Sequence, residues 1–412
     1  MSTVTAPAPL TFREVLANDV IRRVWYAQLV SLFGDFLALF AVISVVSFRM
    51  HGTANQLTWV QISYMFPLVV LGPIAGVFVD RWPLKPTLVA SDLIRAVLAM
   101  FLILTSAVWH VYVVLAALSC VSSFFGPAQT VTIRTHIKAE GLVGANALMQ
   151  LAFMGARIIG PAAAGALVVA LGPSSCYALD VFSFVVSASF LSSVAIKRPQ
   201  LGAAPAESSS NRIHDILRDM TEGAAFIIHH AAIVFVVLAM AAGLFIVGCF
   251  GPLIAIYVRE SLHASAGIFG LVSGMVGVGM LVGTQLVRRL VQVMKHETLV
   301  LSGLGGIGVG VLLLGAVPYV AATVAATFTI GFAFGAIMVP AQTLLQRETP
   351  HAVLGRVSST MMSFVFLAQI LGLVLSGVLA EAIGVRAVFF VCAVLAAGLV
   401  VGGRLLVADP PR

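Results

Sequence analysis

Two charged side chains lie deep inside long apolar segments of this sequence, where an isolated charge is costly. Asp35 comes about ten residues after Trp25, which at 1.5 Å per helical residue puts it about 15 Å into an apolar layer. Arg157 reaches a similar depth counted from Leu148. Because either charge costs at least about 2.5–3.5 kcal/mol in hydrocarbon, each is expected to face a partner or water. A carboxylate there is a candidate for binding and releasing a proton.

Further ionisable residues interrupt other apolar segments. Asp92 and Arg95 are three residues apart, so they share one helix face and can bond to each other. Asp180 is interpreted either as a carboxylate that pairs two helices or as a second proton site. The candidates for proton coupling are therefore Asp35, Arg157 and Asp180.

Other kinds of chemistry are not indicated. No G-x-x-x-x-G-K-[ST] phosphate loop occurs, so ATP is not expected as the energy source. No Ser–His set or metal-ligand set stands out, so neither an enzyme, a cofactor nor a metal is expected. The cysteines are scattered in apolar segments without metal or disulfide spacing: Cys120, Cys176, Cys249 and Cys392.

The elements that hold these residues are predicted to be membrane-spanning helices. Hydrophobic residues make up 60% of the 412 residues and charged residues 9%, with a mean hydropathy of +1.08, whereas soluble domains carry about 25% charged residues. Segments of this length and composition satisfy their backbone groups in a bilayer as helices. Twelve spans are predicted, at 22–48, 57–79, 87–108, 111–132, 146–170, 174–195, 222–257, 266–287, 298–318, 320–344, 356–380 and 386–407.

The distribution of Lys and Arg predicts the orientation. With the N-terminus inside, nearly all loop Lys and Arg fall on the cytoplasmic side, and only Arg49, Arg259 and Arg386 fall opposite. Both termini are therefore expected in the cytoplasm. The net charge of +7 is explained by loops facing anionic lipid, so no nucleic-acid partner is expected.

The chain also repeats itself. Pro127-Ala128-Gln129-Thr130 recurs about half a chain later as Pro340-Ala341-Gln342-Thr343, which predicts two copies of one unit. Between the copies, residues 199–211 have the composition of a flexible linker, followed by a short amphipathic helix on the cytoplasmic surface. The predicted domains are an N-terminal segment at 1–21, a six-helix bundle at 22–197, a linker at 198–221, a second six-helix bundle at 222–407 and a tail at 408–412.

Several motifs resemble those of the major facilitator superfamily. Residues 72–85 resemble its loop between the second and third spans, and 160–165 resemble the proline-glycine signature of its antiporters. With 91–96 and 354–357, the chain is similar to the branch that holds the enterobactin exporter and macrolide efflux proteins. One departure is that Pro83 and Leu84 replace a glycine and a basic residue of the family loop.

The resemblance implies an all-α membrane fold of two pseudo-symmetric six-helix bundles. It implies a cytoplasmic gate in which Asp80 meets a helix N-terminus or pairs with Arg356; the expected gate residues are Gly76, Asp80, Arg81, Lys85, Asp92, Arg95 and Arg356. The fifth-span motif, Gly160, Pro161 and Gly165, is expected to be a hinge or a close-packing seam. Because the first and fifth spans are neighbours in that fold, Asp35 is expected to pair with Arg157. The pair is interpreted either as the coupling site, where protonation of Asp35 releases Arg157, or as a static pair that only fixes helix packing.

The implied function is proton-coupled antiport that exports small amphipathic molecules, such as drugs or siderophores, by alternating access. The cavity is expected to use adaptable apolar side chains: Phe36, Phe66, Phe124, Phe125, Phe245, Phe250, Met361 and Phe366. The expected setting is the bacterial inner membrane, with a monomer that contacts lipids and a small-molecule substrate. Two alternatives remain open: a lysolipid or lipid transporter of the same fold, and a membrane sensor that transports nothing.

Overall fold

The computed structural model describes residues 10–79, 81–196, 218, 221–291, 293–350 and 353–408, and these are helical apart from short connections, with no strand among them. We number the helices in chain order. They are α1 (Phe12–Ala17), α2 (Asp19–Ser44), α3 (Ala54–Val79), α4 (Leu84–Phe101), α5 (Val108–His136), α6 (Ala139–Leu171), α7 (Pro173–Ser192), α8 (Ala231–Glu260), α9 (Ala266–Leu290), α10 (His296–Ala316), α11 (Val320–Glu348), α12 (Leu354–Ile383) and α13 (Val385–Ala408).

Each of the twelve predicted spans overlaps one of the helices α2–α13. Eleven helical segments in the described part are long and apolar enough to cross a membrane, with α2 continuing through a π-helical turn to Arg49. The remaining helix, α3, is 26 residues long but is not among those eleven. The seventh predicted span begins too early: a turn at His229 separates a helical stretch at 221–228 from α8. The predicted amphipathic helix falls on residues that, apart from Arg218, lie outside the described part.

Local signals explain where several helices begin and end. Thr11 and Glu14 form a reciprocal capping box at the start of α1. Asn18 caps α2 by accepting from the backbone N–H groups of Val20 and Ile21. Gly172 separates α6 from α7 with φ of 83°, and Gly384 separates α12 from α13 with φ of 86°. Because both glycines adopt a left-handed conformation that other residues avoid, the same tight turn is built in each half of the chain.

The chain forms two compact units. The N-terminal unit comprises Met1–Gly52 and Trp59–Leu201, and the C-terminal unit comprises Thr53–Thr58 and Gly202–Arg412. Within the N-terminal unit, α2 packs on α6 and α7, while α4 packs on α5 and α7. Within the C-terminal unit, α8 packs on α12, and α11 packs on both α9 and α10. Helix α7 thus contacts both helices that carry the acidic candidates of the first half, α2 and α4.

Candidate functional site

Four charged side chains converge inside the N-terminal unit. Asp92 and Arg95 come from α4 and form an ion pair, as their i, i+3 spacing predicts. Asp35 comes from α2, and its Oδ2 atom lies 3.8 Å from Nη1 of Arg95. Asp180 comes from α7, and its Oδ1 atom would lie 2.7 Å from a Cβ at Gly34, the residue before Asp35. The first, third and sixth spans thereby contribute to one buried charge cluster, defined here as Asp35, Asp92, Arg95 and Asp180.

Asp92 has its charge fully compensated. Its side chain is 0% exposed. One carboxylate oxygen binds Arg95, and the other accepts a hydrogen bond of 2.6 Å from the hydroxyl of Ser187 on α7. Because a buried carboxylate is tolerated when it is paired and hydrogen-bonded, Asp92 holds Arg95 in place rather than remaining available for another partner.

Two aromatic rings fix the position of Arg95. Its guanidinium carbon lies 4.5 Å from the ring centroid of Phe125 on α5 and 4.5 Å from that of Phe184 on α7. Each desolvated cation–π contact contributes on the order of 2 kcal/mol. The Nε atom of Arg95 is nevertheless buried without a hydrogen-bond partner in the described structure. The guanidinium is therefore held by Asp92 and by the two rings, and its Nη1 atom faces Asp35.

Asp180 is the most poorly satisfied member of the cluster. It is 1% exposed, and its Oδ1 atom has no hydrogen-bond partner among the described residues. The nearby hydroxyl of Ser183 donates to the backbone carbonyl of Asp180. A Cβ at Gly34 would lie 2.7 Å from Oδ1 of Asp180 and 2.1 Å from Oγ of Ser183. Only glycine at this position lets the polar face of α7 pack so closely against α2.

The charge balance of the cluster is unequal. The cluster contains three carboxylates and one guanidinium, so full ionisation would leave two uncompensated negative charges in a largely buried site. Such charges cost several kcal/mol each in a protein interior. Bound protons or a cationic ligand would remove that cost. Asp35, whose side chain is 22% exposed, is the carboxylate of the three that solvent reaches most readily.

The prediction that Asp35 pairs with Arg157 was wrong. Arg95 approaches Asp35 in place of Arg157, and the described residues give Arg157 no ion pair. The reason is the packing of α7 against both α2 and α4, which brings their polar faces together. Ser187 and Phe184 were also missed as members of the site, and Phe125 was predicted as a cavity residue and not as a partner of Arg95. A signal for part of this was present, because 180, 183 and 187 form a polar stripe at helical spacing in an apolar segment.

Comparison with known proteins identifies the family. The family model described as transmembrane secretion effector matches residues 11–409. The chain belongs to this family of the major facilitator superfamily. The membership predicted from the motifs is therefore confirmed.

Named relatives of this transporter cover most of its length. It is 28% identical to the uncharacterized MFS-type transporter YfiS of Bacillus subtilis, over 90% of this chain and 88% of the relative. It is 26% identical to macrolide efflux protein A of Streptococcus pyogenes, over 88% and 90%. It is 25% identical to the multidrug efflux pump Tap of Mycolicibacterium fortuitum, over 82% and 84%.

Solved structures share the fold of this transporter. The nucleoside transporter NupG matches with a TM-score of 0.73 at 12% identity, over 95% of this chain and 99% of the other. A bacterial homologue of the human lysosomal transporter Spinster, in an inward-facing conformation, matches with a TM-score of 0.70 at 11% identity, over 95% and 99%. At these identities the similarity establishes the two-bundle transporter fold alone.

The expected gate residues of this transporter divide between different surroundings. Asp92 and Arg95 belong to the charge cluster. Arg81 comes three residues before Leu84, the first residue of α4, and Lys85 is the second residue of that helix. Asp80 lies outside the described residues. In the C-terminal unit, Arg356 forms an ion pair of 2.6 Å with Glu222. The remaining gate residue, Gly76, has open space where a Cβ would project.

The motif of the fifth span forms a close contact in α6. A Cβ at Gly160 would lie 2.7 Å from Cβ of Phe36, so this glycine permits α6 to approach α2. Pro161 lies inside α6, which continues unbroken to Leu171, and Gly165 is buried. The close approach at Gly160 favours the close-packing seam over the hinge.

The predicted cavity residues occupy varied environments. Phe125 packs under Arg95, and Phe36 makes an edge contact with Phe153 at 5.8 Å between centroids. Phe124 stacks on Trp82 at 5.5 Å. The others range from exposed to buried: Phe66 is 63% exposed and Phe366 51%, Phe245 is half-buried, and Phe250 and Met361 are buried. Their role in substrate contact stays a prediction.

Proposed function

We propose that this transporter is a proton-coupled antiporter that exports small amphipathic molecules by alternating access. The observation that carries the proposal is the unequal charge balance of the cluster, in which Asp35 and Asp92 approach the guanidinium of Arg95 and a third carboxylate, Asp180, is buried against α2 at Gly34. A site with surplus carboxylates in a membrane interior favours the binding of protons, whereas a balanced ion pair only fixes packing.

The proton step centres on Asp35. When Asp35 is ionised, Arg95 attracts it across 3.8 Å, and this attraction links α2 to α4. When Asp35 accepts a proton, that link is lost, while Arg95 stays with Asp92 and the two aromatic rings. Protonation therefore changes the relative free energies of two arrangements of α2 against α4, which is the requirement for coupling a gradient to a conformational change.

The substrate class and cellular setting are supported by the relatives. Two of them bear the names macrolide efflux protein A and multidrug efflux pump Tap, and both come from bacteria. Together with the one-sided Lys and Arg of the loops, this favours the bacterial inner membrane with cytoplasmic termini. We expect a monomer that contacts lipid, uses no cofactor and draws its energy from the proton gradient.

The decisive experiment measures export of a radiolabelled macrolide into everted membrane vesicles that contain the full-length protein. Uptake should collapse when a protonophore is added. Asp35→Asn should lose the response to the pH gradient, with uptake at least tenfold lower, because an amide cannot take up and release the proton. The matched control is Asp19→Asn, which changes an exposed aspartate on the same helix, paired with Arg22, and should keep wild-type uptake. Undiminished gradient-driven uptake by Asp35→Asn would overturn the proposal.

A further inference from the structure

Two free thiols meet in the interior of the C-terminal unit. Cys249 comes from α8 and Cys392 from α13, and a hydrogen bond joins their side chains. The Sγ atom of Cys249 also donates to the backbone carbonyl oxygen of Gly372 on α12, at 3.2 Å. Because a thiol has one proton to donate, the hydrogen bond between the thiols runs from Cys392 to Cys249. The three groups form a chain from α13 through α8 to α12.

The thiol pair lies at a helix contact that corresponds to the contact around Asp180 in the first half of the chain. Cys392 follows the turn glycine Gly384 by eight residues, and Asp180 follows Gly172 by the same number. Helix α13 packs on α8 in the C-terminal unit, as α7 packs on α2 in the N-terminal unit. Equivalent helix contacts therefore hold carboxylates in one unit and thiols in the other.

The two thiols are closed off from solvent and have apolar neighbours along their helices. Cys249 is 1% exposed and Cys392 2% exposed. The residues one helical turn away are buried as well: Leu253 on α8, and Val388 and Ala396 on α13. Because a net charge is costly in such surroundings, a group that binds to both thiols is favoured when it leaves a neutral product.

We propose that Cys249 and Cys392 bind one Hg²⁺ ion as a linear dithiolate that bridges α8 and α13. Mercuric chloride, a neutral molecule, exchanges both of its chlorides for the thiols. Two Hg–Cl bonds break and two Hg–S bonds form, while the two thiol protons and the two chlorides leave; no electron is transferred. The product carries no net charge, because two thiolates balance the doubly charged ion.

The ligand set selects among metals. Thiolates favour soft ions, whereas the carbonyl oxygen of Gly372 suits hard ones. Structural Zn²⁺ sites use four ligands, and among the described residues no group of three or more His, Cys, Asp or Glu is placed to hold a metal. A singly charged soft ion such as Cu⁺ would leave its dithiolate with a net negative charge in an apolar interior. Hg²⁺ is soft, is satisfied by two ligands and gives a neutral complex.

The test measures how much mercury the purified full-length protein retains in nanodiscs. The protein is loaded with one equivalent of mercuric chloride, incubated with excess glutathione and desalted, and mercury per chain is then measured by elemental mass spectrometry. A preorganised thiol pair should hold the ion against a monothiol, because its second Hg–S bond forms at a high effective concentration. The wild type should retain one ion per chain. Loss of the mercury to glutathione would overturn the proposal.

Single substitutions locate the site. Cys249→Ala and Cys392→Ala each leave one thiol of the pair and should retain at least tenfold less mercury. The matched control is Cys176→Ala, which removes another buried cysteine, whose Sγ atom lies 3.9 Å from the carbonyl oxygen of Ala164. This control should retain mercury as the wild type does. Equal losses of mercury in Cys176→Ala and Cys392→Ala would overturn the assignment to the pair.

Two further measurements test the linear bridge. Mercury should raise the thermal unfolding midpoint of the wild type, because the ion binds the folded pair, and it should not raise that of Cys392→Ala. Zn²⁺ should be retained at least tenfold less than Hg²⁺, and equal retention of the two ions would contradict a site of two ligands. If Cys249→Ala does not fold, Cys392→Ala against Cys176→Ala still decides the location.

This site is separate from the proton-coupling residue of the proposed function. Asp35→Asn, which tests proton antiport, should retain mercury as the wild type does. Failure of gradient-driven export therefore leaves the mercury site standing, and failure of mercury retention leaves proton antiport standing.

Discussion

The two units of this transporter bury polar groups in different ways. Among the described residues, the buried charged side chains Asp92, Arg95 and Asp180 all belong to the N-terminal unit. The buried polar residues of the C-terminal unit are threonines and serines: Thr58, Thr323, Thr327, Thr349, Thr360 and Ser376. Buried ionisable groups in membrane proteins are costly and usually functional. The candidate proton site therefore lies in the first unit, although both units have related sequence landmarks.

Glycine serves different purposes in the two units. In the C-terminal unit glycines bring backbones together: a Cβ at Gly331 would lie 1.9 Å from the carbonyl oxygen of Val276, and one at Gly279 would lie 2.1 Å from that of Phe328. In the N-terminal unit, Gly34 and Gly160 instead make room for side chains of the opposing helix. Close backbone packing is a common source of stability between membrane helices. At these glycines the helices of the second unit pack backbone against backbone. In the first unit, Gly34 makes room for the charged side chain of Asp180.

The largest expected effect tests the charge of the first unit. Arg95→Met removes the guanidinium and leaves Asp92 buried without its cation, which should destabilise the protein by about 3–5 kcal/mol. The measurement is the thermal unfolding midpoint of the full-length protein in mild detergent. Arg157→Met is the matched comparison, because the described residues give Arg157 no ion pair. This variant should lose much less stability than Arg95→Met. An equal or larger loss for Arg157→Met would contradict the assignment of Arg95 as the central cation.

The next effect tests the packing of the second unit. Gly331→Ala places a methyl group against a backbone carbonyl, which cannot rotate away, so α9 and α11 must separate. The cost should reach the upper end of the about 1–3 kcal/mol that overpacking usually brings. The control is Gly402→Ala on α13, where a Cβ meets no atom within 4 Å. The same unfolding measurement should show little change in this control. Equal losses of stability in both variants would mean that the close backbone contact between α9 and α11 does not stabilise the unit.

A smaller effect is expected when the hydrogen bond to Asp92 is removed and the Asp92–Arg95 ion pair is kept. Ser187→Ala removes the donor to Oδ2 of Asp92 but leaves Arg95 on the other oxygen. Loss of a buried hydrogen bond to a charged group should cost about 1.5 kcal/mol here, the lower end of the usual range, because the charge stays paired. Ser189→Ala changes an exposed hydroxyl on the same helix and should be nearly neutral. Indistinguishable unfolding midpoints for these two variants would remove Ser187 from the site.

Sequence patterns predicted the helices of this molecule because each span is a local property. Length and hydropathy are enough to locate α2, and the i, i+3 spacing is enough to pair Asp92 with Arg95. The break before α8 was missed because 222–257 is apolar almost throughout, so hydropathy gives no boundary at His229.

The composition of the charge cluster was harder to predict. Asp35 was recognised as a buried ionisable residue, but its partner depends on which helices α7 packs against. That contact joins residues far apart in the chain, and the family resemblance suggested Arg157 instead. The contacts of Phe125 and Phe184 with Arg95 were missed for the same reason, because phenylalanines are common in apolar helices and their sequence positions do not reveal a cation–π contact.

The smallest expected effect contrasts an exposed carboxylate with the buried ones. Hydrogen bonds from the hydroxyl and backbone N–H of Thr11 lower the pKa of Glu14, which is fully exposed at the start of α1. Because the folded-state pKa is lowered, the cap stabilises α1 above the ordinary glutamate pKa of about 4.3, and this contribution is lost as the pH falls through the lowered value.

Amide hydrogen exchange of α1, expressed as protection factors to remove the intrinsic pH effect, should therefore show weaker protection in acid. Thr11→Val removes the hydroxyl bond and keeps the backbone N–H bond, so it should weaken that pH dependence, while the protection of α2 stays unchanged. A wild-type pH dependence in Thr11→Val would mean that another group controls the fraying of α1. The expected change is confined to one exposed turn, since water replaces the lost bond there, whereas Asp92 is buried in the interior of the N-terminal unit.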